Sequence, residues 1–453
     1  MENNKKFKVK LAWSFYDWAN SAWSAIIITF VFSRYFVDVI APDYDIGTLY
    51  WTWTIGLSSL FAALLSPIFG SISDQTQSSK AWLIFSTVVY SLIAFSLWFV
   101  QPNGIEIFII ILLIFIGNLF YEISQIFYNG QLKLITTKDN YAKLSGFAWG
   151  LGYIGTVLIF LIYYGIFLLP KDPIFFLDIS TFENIRISFP ITGLWIILFS
   201  LPFFFTFQDP KSKISNTKLN IKQTFDQLRV TLKNLQKYKN LVWFLIARIF
   251  YMDGINAIFA VAAIYATIEF GMTTTDIIVL GIGTNISAGL GSWIFAFIEK
   301  KFGSKNVITF SLIFIFIIGV IILLINQENL LLLYWVLVQI FQQDLVVGYF
   351  HLITQKNLFI ILAMMLSSFF GPIQSASRVY FAKSIPDEKK YEFFGFYSFA
   401  GKVTSFIGPI LFGTIAYVFS SQKIGMASLL VLFAIGFFIL LKVENDQTSS
   451  FSK

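Results

Sequence analysis

The chain contains no cysteine and a single histidine, His351. The first absence excludes disulfides, thiolate nucleophiles and thiolate metal sites, and the second excludes a pair of His ligands. Only 13% of the 453 residues are charged, against roughly 25% in ordinary soluble domains. No G-x-x-x-x-G-K-[ST] phosphate loop and no G-x-S-x-G serine elbow occur, so neither ATP hydrolysis nor acyl-transfer chemistry has its usual carrier. The polar stretches are too short to hold a catalytic domain, so we expect no enzyme, no cofactor and no metal. The lone His351 reads as structural.

In place of charge there is apolar length. Hydrophobic residues make up 57% of the chain, too much to hide in soluble cores. Apolar runs of about 20 residues, enough to cross a bilayer as helix, recur throughout. They lie near 11–36, 48–70, 80–101, 106–129, 144–169, 187–207, 241–268, 277–298, 306–326, 357–382, 392–420 and 424–442. Their length and uniformity exclude barrel strands. The first run is too long for a signal peptide and has no small-residue cleavage site. The expected fold is an all-α polytopic membrane protein with twelve spans.

Basic residues set its orientation. With the N-terminus inside, 24 of the 32 Lys and Arg fall in inner loops and tails. The outer loops hold Arg34, Lys171, Arg186, Lys356 and Lys423, and the spans hold Arg248, Arg378 and Lys402. This asymmetry predicts both termini in the cytoplasm. The net charge of +7 is then topology, and no nucleic-acid partner is expected.

Like motifs recur at long offsets. Asp17-x-x-Asn20 in span 1 returns as Asp253-x-x-Asn256 in span 7, and Gly146-Phe147 with Gly152 in span 5 returns as Gly395-Phe396 with Gly401 in span 11. The pattern predicts two six-helix bundles as parallel repeats: 1–207 and 241–453, joined by 208–240. The offset grows between Lys305 and Arg378, which marks an extra apolar segment between spans 9 and 10, near 329–355. A thirteenth span there would move Lys383, Lys389 and Lys390 outside, so a re-entrant hairpin or surface helix is expected. In the joint, Ile221, Phe225, Leu228, Leu232 and Leu235 recur at helical steps among Lys222, Arg229, Lys233 and Lys237. That is a basic amphipathic helix, and the linker at 211–239 is expected to meet lipids of the cytoplasmic leaflet.

Charges within spans are costly, roughly 2.5–3.5 kcal/mol each at a helix centre, so they should face the bundle interior or water. These are Asp17, Glu122, Arg248, Asp253, Arg378 and Lys402. Asp17, Asn20, Asp253 and Asn256 are candidates for a midplane site, with Glu122 as a further substrate- or proton-binding group. Arg248 or Arg378 is the candidate fork for a carboxylate, and Gln374, one turn before Arg378, a further hydrogen-bonding group. Arg378 is equally a candidate gate residue. A carboxylate whose pairing changes can exchange a proton, so protons are candidate co-substrates. Trp13 and Phe15 read as interfacial anchors.

The loop "GSISDQTQSSK" after span 2, with Gly70, Asp74 and Lys80, resembles the gating loop of the major facilitator superfamily. Its counterpart after span 8, "EKKFGSK", keeps Gly303 and Lys305 but carries its acid at Glu299. "YDWANSA" in span 1, "GPIQSASRVYFAKSIP" at 371–386 and "EFFGFYSFAGKVTSFIGPILFG" at 392–413 resemble the vacuole-effluxer family within that superfamily. The resemblance implies the major facilitator fold. It also implies a secondary active transporter working by rocker-switch alternating access, with Gly70, Asp74, Lys80, Gly303 and Lys305 as gating residues. The fungal member of the family is regarded as an exporter of amino acids from the vacuole, so a small polar solute, an amino acid, is the expected cargo. Short loops favour a bacterial inner membrane, and a monomer is expected. Two alternatives stand beside this: a carrier of a lipid or amphiphile, marked by a Phe-lined cavity open to the bilayer, and a membrane scaffold or sensor that moves nothing, marked by the lack of a cavity between halves.

Overall fold

The computed structural model describes residues 2–102, 104, 106–170, 177–209, 221–326, 329 and 354–445. Twelve helices in it are long and apolar enough to span a bilayer. They are Lys5–Ile40, Tyr44–Thr76, Ser79–Phe99, Ile107–Ile135, Lys138–Leu168, Glu183–Thr206, Gln236–Phe270, Thr275–Phe302, Ser304–Leu323, Gln355–Ser384, Lys390–Val418 and Gln422–Leu440, here called spans 1 to 12. No described residue is in a strand. The expected segment near 329–355, with His351, lies almost wholly outside the described residues.

Three of the spans depart from regular α-helix. Span 1 is π-helical over Trp23–Phe30. Span 10 is interrupted between Ser367 and Phe370, and span 11 between Lys402 and Ile407, just before Pro409. A break frees backbone polar groups, which a membrane tolerates only where protein or a cavity receives them.

The two halves close on one another at the end carrying Lys133, Lys143 and Lys389, the end that charge assigns to the cytoplasm and that we call inner. Small residues make the contact possible. A Cβ on Gly395 of span 11 would lie 2.5 Å from the Ser66 carbonyl oxygen and 2.6 Å from Pro67 Cα of span 2. One on Gly146 of span 5 would lie 2.5 Å from Ala296 of span 8. Backbones thus meet across the halves, as small residues allow where lipid offers no hydrophobic drive.

The linker helix, Ile221–Lys233, docks under this contact. Its buried Thr224, Leu228 and Thr231 face the protein. Gln227 Oε1 accepts hydrogen bonds from Gln75 Nε2 at 2.9 Å and Ser71 Oγ at 3.3 Å, and Lys389 Nζ donates to Thr231 Oγ1 at 2.8 Å. The docked face is therefore centred on 224, 227, 228 and 231, not on the whole apolar stripe: Leu228 is buried but Phe225 stays exposed. The other three stripe positions lie outside the described side chains.

Candidate functional site

Asp17 and Asn20 share a face of span 1 by their spacing of three. Both line a cavity of about 500 Å³ between the halves, within the usual range for a small-molecule site. Thr29 and Phe30 from the outer part of span 1, and Ile277 and Leu280 from the outer part of span 8, also border it, so it opens outward while the inner end is shut. Asn256, Thr284, Asn285 and Gln374 enter from the other half. Four sequence-predicted residues, Asp17, Asn20, Asn256 and Gln374, thus meet on one cavity.

Asp17 is the only charged residue on that wall among the described residues. Beneath it lies Arg378, with Nη1 at 3.4 Å from Asp17 Oδ2. Each nitrogen of the guanidinium is engaged. Nε donates to Ser145 Oγ at 2.9 Å, Nη2 to the Ser145 carbonyl at 2.9 Å, and Nη1 to Asn129 Oδ1 at 3.2 Å. The rings of Trp13, Tyr128 and Trp149 surround it at 4.9, 5.4 and 5.7 Å. Arg378 therefore bridges spans 1, 4, 5 and 10 as a floor and does not reach the cavity. Trp13 is not an interfacial anchor: it is fully buried, stacks on Tyr128 at 4.5 Å and donates Nε1–H to the Tyr128 carbonyl at 3.1 Å. A ring beside a buried guanidinium is worth more to the fold there than at the membrane surface.

The polar groups on the wall are held in place. Tyr90 donates its hydroxyl to Asn20 Oδ1 at 2.8 Å, and Tyr153 donates to Gln374 Oε1 at 2.8 Å. With Oε1 accepting, the donor half of the Gln374 amide is left for the cavity.

Three other predicted residues lie elsewhere. Arg248 donates Nη1–H to the Tyr397 carbonyl at 2.7 Å and sits 3.6 Å over the Tyr397 ring, inside the second half. Asp253 is buried inside the second half, and its Oδ1 has no hydrogen-bond partner among the described residues. Glu122 pairs with Lys402 Nζ at 2.8 Å across the halves.

At the inner end, Asp74 accepts from the backbone N–H groups of Glu392 at 2.7 Å and Tyr391 at 3.2 Å. A carboxylate thus caps the exposed donors at the start of span 11, where the helix dipole favours negative charge. Gly70 lies against the Tyr391 backbone. Lys80 contributes its backbone N–H, not its ammonium, to Asp209 Oδ2 at 2.9 Å, and Asp209 also accepts from Ser79. Burial holds the Asp209 carboxyl above the ordinary range, against those bonds. Gly303 turns the chain at φ +84° between spans 8 and 9, and Lys305 is half-buried beside it.

Sequence reasoning missed one strong contact. Lys133, 3% exposed, donates to the Ile385 carbonyl at 2.6 Å and pairs with Asp387 at 2.7 Å across the halves. That hydrogen bond holds Asp387 below its ordinary range. Its position inside the apolar run "QLKLI" was the available signal; it was read only as topology. Asn129, in "FYNGQ", was missed for want of any partner in its neighbourhood of the sequence.

Comparison with known proteins gives a consistent result. A family model described as "Vacuole effluxer Atg22 like" matches residues 48–450. An uncharacterized MFS-type transporter, YxiO, of Bacillus subtilis is 28% identical over 99% of this chain and 98% of its own. Autophagy-related protein 22 of Kluyveromyces lactis is 25% identical over 80% of this chain and 73% of its own. Among solved structures, the major facilitator transporter FucP in its outward conformation superposes with a TM-score of 0.71 at 14% identity, covering 97% of this chain and 98% of its own. A bacterial homologue of ferroportin, outward-facing, gives 0.66 at 11% identity, covering 97% and 98%. These likenesses show the fold: the helices are those of a major facilitator.

Proposed function

The chain belongs to the vacuole effluxer Atg22-like family of major facilitator transporters, and from that premise and the central cavity we propose that its cargo is a small zwitterion, an amino acid. The observation that carries this is Asp17, a single carboxylate facing amides of both halves on one cavity wall. The solute's ammonium pairs with Asp17, and its carboxylate accepts from the amide donors of Asn256 and Gln374. Both guanidiniums are engaged elsewhere, so the amides take the role that a fork from Arg248 or Arg378 would have had. Solute binding on both halves favours closure of the outer end, and rocking of the halves then opens the inner end.

Asp17 also carries the coupling. A proton on it weakens its hold on Arg378, the residue that ties spans 1 and 10 together, so proton and solute compete for one group. Glu122 with Lys402 is the second pair that must separate during rocking. In this reading Asp74 and Gly70 are the inner gate, with Lys80 and the Gly303–Lys305 loop as its supports, and both termini face the cytoplasm of a bacterial cell.

Counterflow in proteoliposomes tests it. Vesicles are loaded with mixed amino acids and entry of each labelled one is followed. Uptake by the wild type that Asp17→Asn and Gln374→Ala lower at least tenfold supports the reading. No uptake of any amino acid by folded protein sinks it. The upper wall of the cavity is apolar, with Phe30, Phe259, Phe359 and Met426, which favours as second reading an amphiphilic solute; competition by a short-chain amphiphile without amino-acid uptake identifies that case.

A further inference from the structure

A second cavity lies outside the transport path. It is a groove of about 710 Å³ between the linker helix and spans 2 and 11. Leu64 and Ile68 of span 2 and Phe396 of span 11 form its floor, and Phe225 of the linker helix its rim. Leu64 and Phe225 are each more than half exposed, so this apolar surface is continuous with the lipid-facing side of the bundle. Arg229 and Lys233, one turn apart, line the same groove, and neither forms an ion pair among the described residues. Asp226 also lines it and leaves a net charge of +1.

We propose that this groove binds an anionic glycerophospholipid of the inner leaflet, and that the bound lipid holds the inner gate closed. The headgroup phosphate sits between Arg229 and Lys233, and an acyl chain lies along Leu64, Ile68 and Phe396. Two features match this occupant: a net positive charge at the inner end of span 2 and an apolar floor beside it. The consequence for transport rests on the alternating-access reading. The floor comes from both halves, and the linker helix bonds to both: Gln227 to Ser71 and Gln75 of span 2, and Thr231 to Lys389 beside span 11. Rocking to the inward-open state separates spans 2 and 11 at this end and splits the groove. A lipid that binds the intact groove therefore favours the outward-open state by its difference in affinity for the two.

The test reads the inner gate and not transport, so it can fail or succeed apart from counterflow. The absence of native cysteine allows clean spin labelling of the full chain at Asn140→Cys and Glu388→Cys, exposed positions at the inner end on opposite halves. Label distances are measured in vesicles of pure phosphatidylcholine and of equal parts phosphatidylcholine and phosphatidylglycerol. The closed-to-open ratio should rise with phosphatidylglycerol, and Arg229→Glu with Lys233→Glu should abolish that rise, each lost charge being worth about fivefold. Arg229→Lys with Lys233→Arg, which keeps the charges, should retain it. Equal ratios for the wild type in both vesicles overturn the proposal. The same rise produced by inorganic phosphate in pure phosphatidylcholine also overturns it, because a free anion would then be the ligand.

Discussion

Arg378 occupies the position where one residue decides most. It is 1% exposed and bonds to Ser145, Asn129 and Asp17 on three helices of the opposite half. Its removal leaves the Asp17 carboxylate in a low-dielectric setting without a counter-charge. Loss of one partner from a buried pair costs about 3–5 kcal/mol, far more than the pair itself contributes over an apolar substitute. We expect Arg378→Ala to lower the thermal unfolding midpoint in detergent by several degrees, and Asp17→Asn to lower it much less, because Asn can still accept from Nη1. Equal midpoints for wild type and Arg378→Ala would mean that the floor of the cavity is not held by this residue. The same comparison separates the roles: Asp17→Asn is a transport variant with a sound fold, while Arg378→Ala loses both.

At the scale of elements, the crossing of spans 2 and 11 rests on glycine. Any side chain at Gly395 meets backbone of Ser66 and Pro67, which cannot rotate aside as a flexible side chain would. Gly395→Val should therefore force the inner ends apart and expose cysteines engineered there to an impermeant thiol reagent. Gly413→Ala is the control, since nothing lies within 4 Å of its new Cβ. If Gly395→Val leaves the inner cysteines as protected as in the wild type, the closure does not depend on this crossing. Such elements were legible in the sequence to different degrees. Twelve spans followed from apolar length, because the bilayer sets a physical threshold that composition meets or misses. The pairing of Asp17 with Asn256 on one cavity followed from the repeat offset. Asp253, at the same offset as Asp17, is buried off the cavity instead, since a repeat preserves backbone placement but not rotamer or neighbour. The partners of Arg378 and Lys133 were hidden for another reason: Ser145, Asn129 and Asp387 lie more than a hundred residues away in sequence, and no local pattern records which helices cross. The linker helix shows the same limit, for its period marked an amphipathic face but not that polar Gln227 and Thr231 would be the docked one.

For the whole molecule, the outward-open state is held by contacts at the inner end, Lys133 with Asp387, Asp74 on the start of span 11 and the linker helix beneath, and by Glu122 with Lys402 deeper between the halves. Two inner carboxylates outside the spans respond to pH with opposite sign. The Lys133 hydrogen bond depresses Asp387 below its ordinary value of 3.8. Its contribution is present above that value and is lost only as pH falls through the lower folded one. Burial raises Asp209 above 3.8, so its charged form opposes the folded packing around Ser79 and Lys80, and this opposition is relieved as pH falls through the raised value. Both of those partners lie in the first half, so Asp209 acts on stability, while Asp387 acts on the closure between halves. Acidification should thus raise the thermal unfolding midpoint at first, through Asp209, and loosen the inner end only in strong acid, through Asp387. Unfolding midpoints, and label distances between Asn140→Cys and Glu388→Cys, followed from about pH 8 down to about pH 3, read the two phases separately. Asp209→Asn should erase the rise in midpoint and keep the loosening, and Asp387→Asn should give a looser inner end at neutral pH with no further acid loss. A wild-type inner end that loosens steadily from neutral pH downward would contradict the Asp387 assignment.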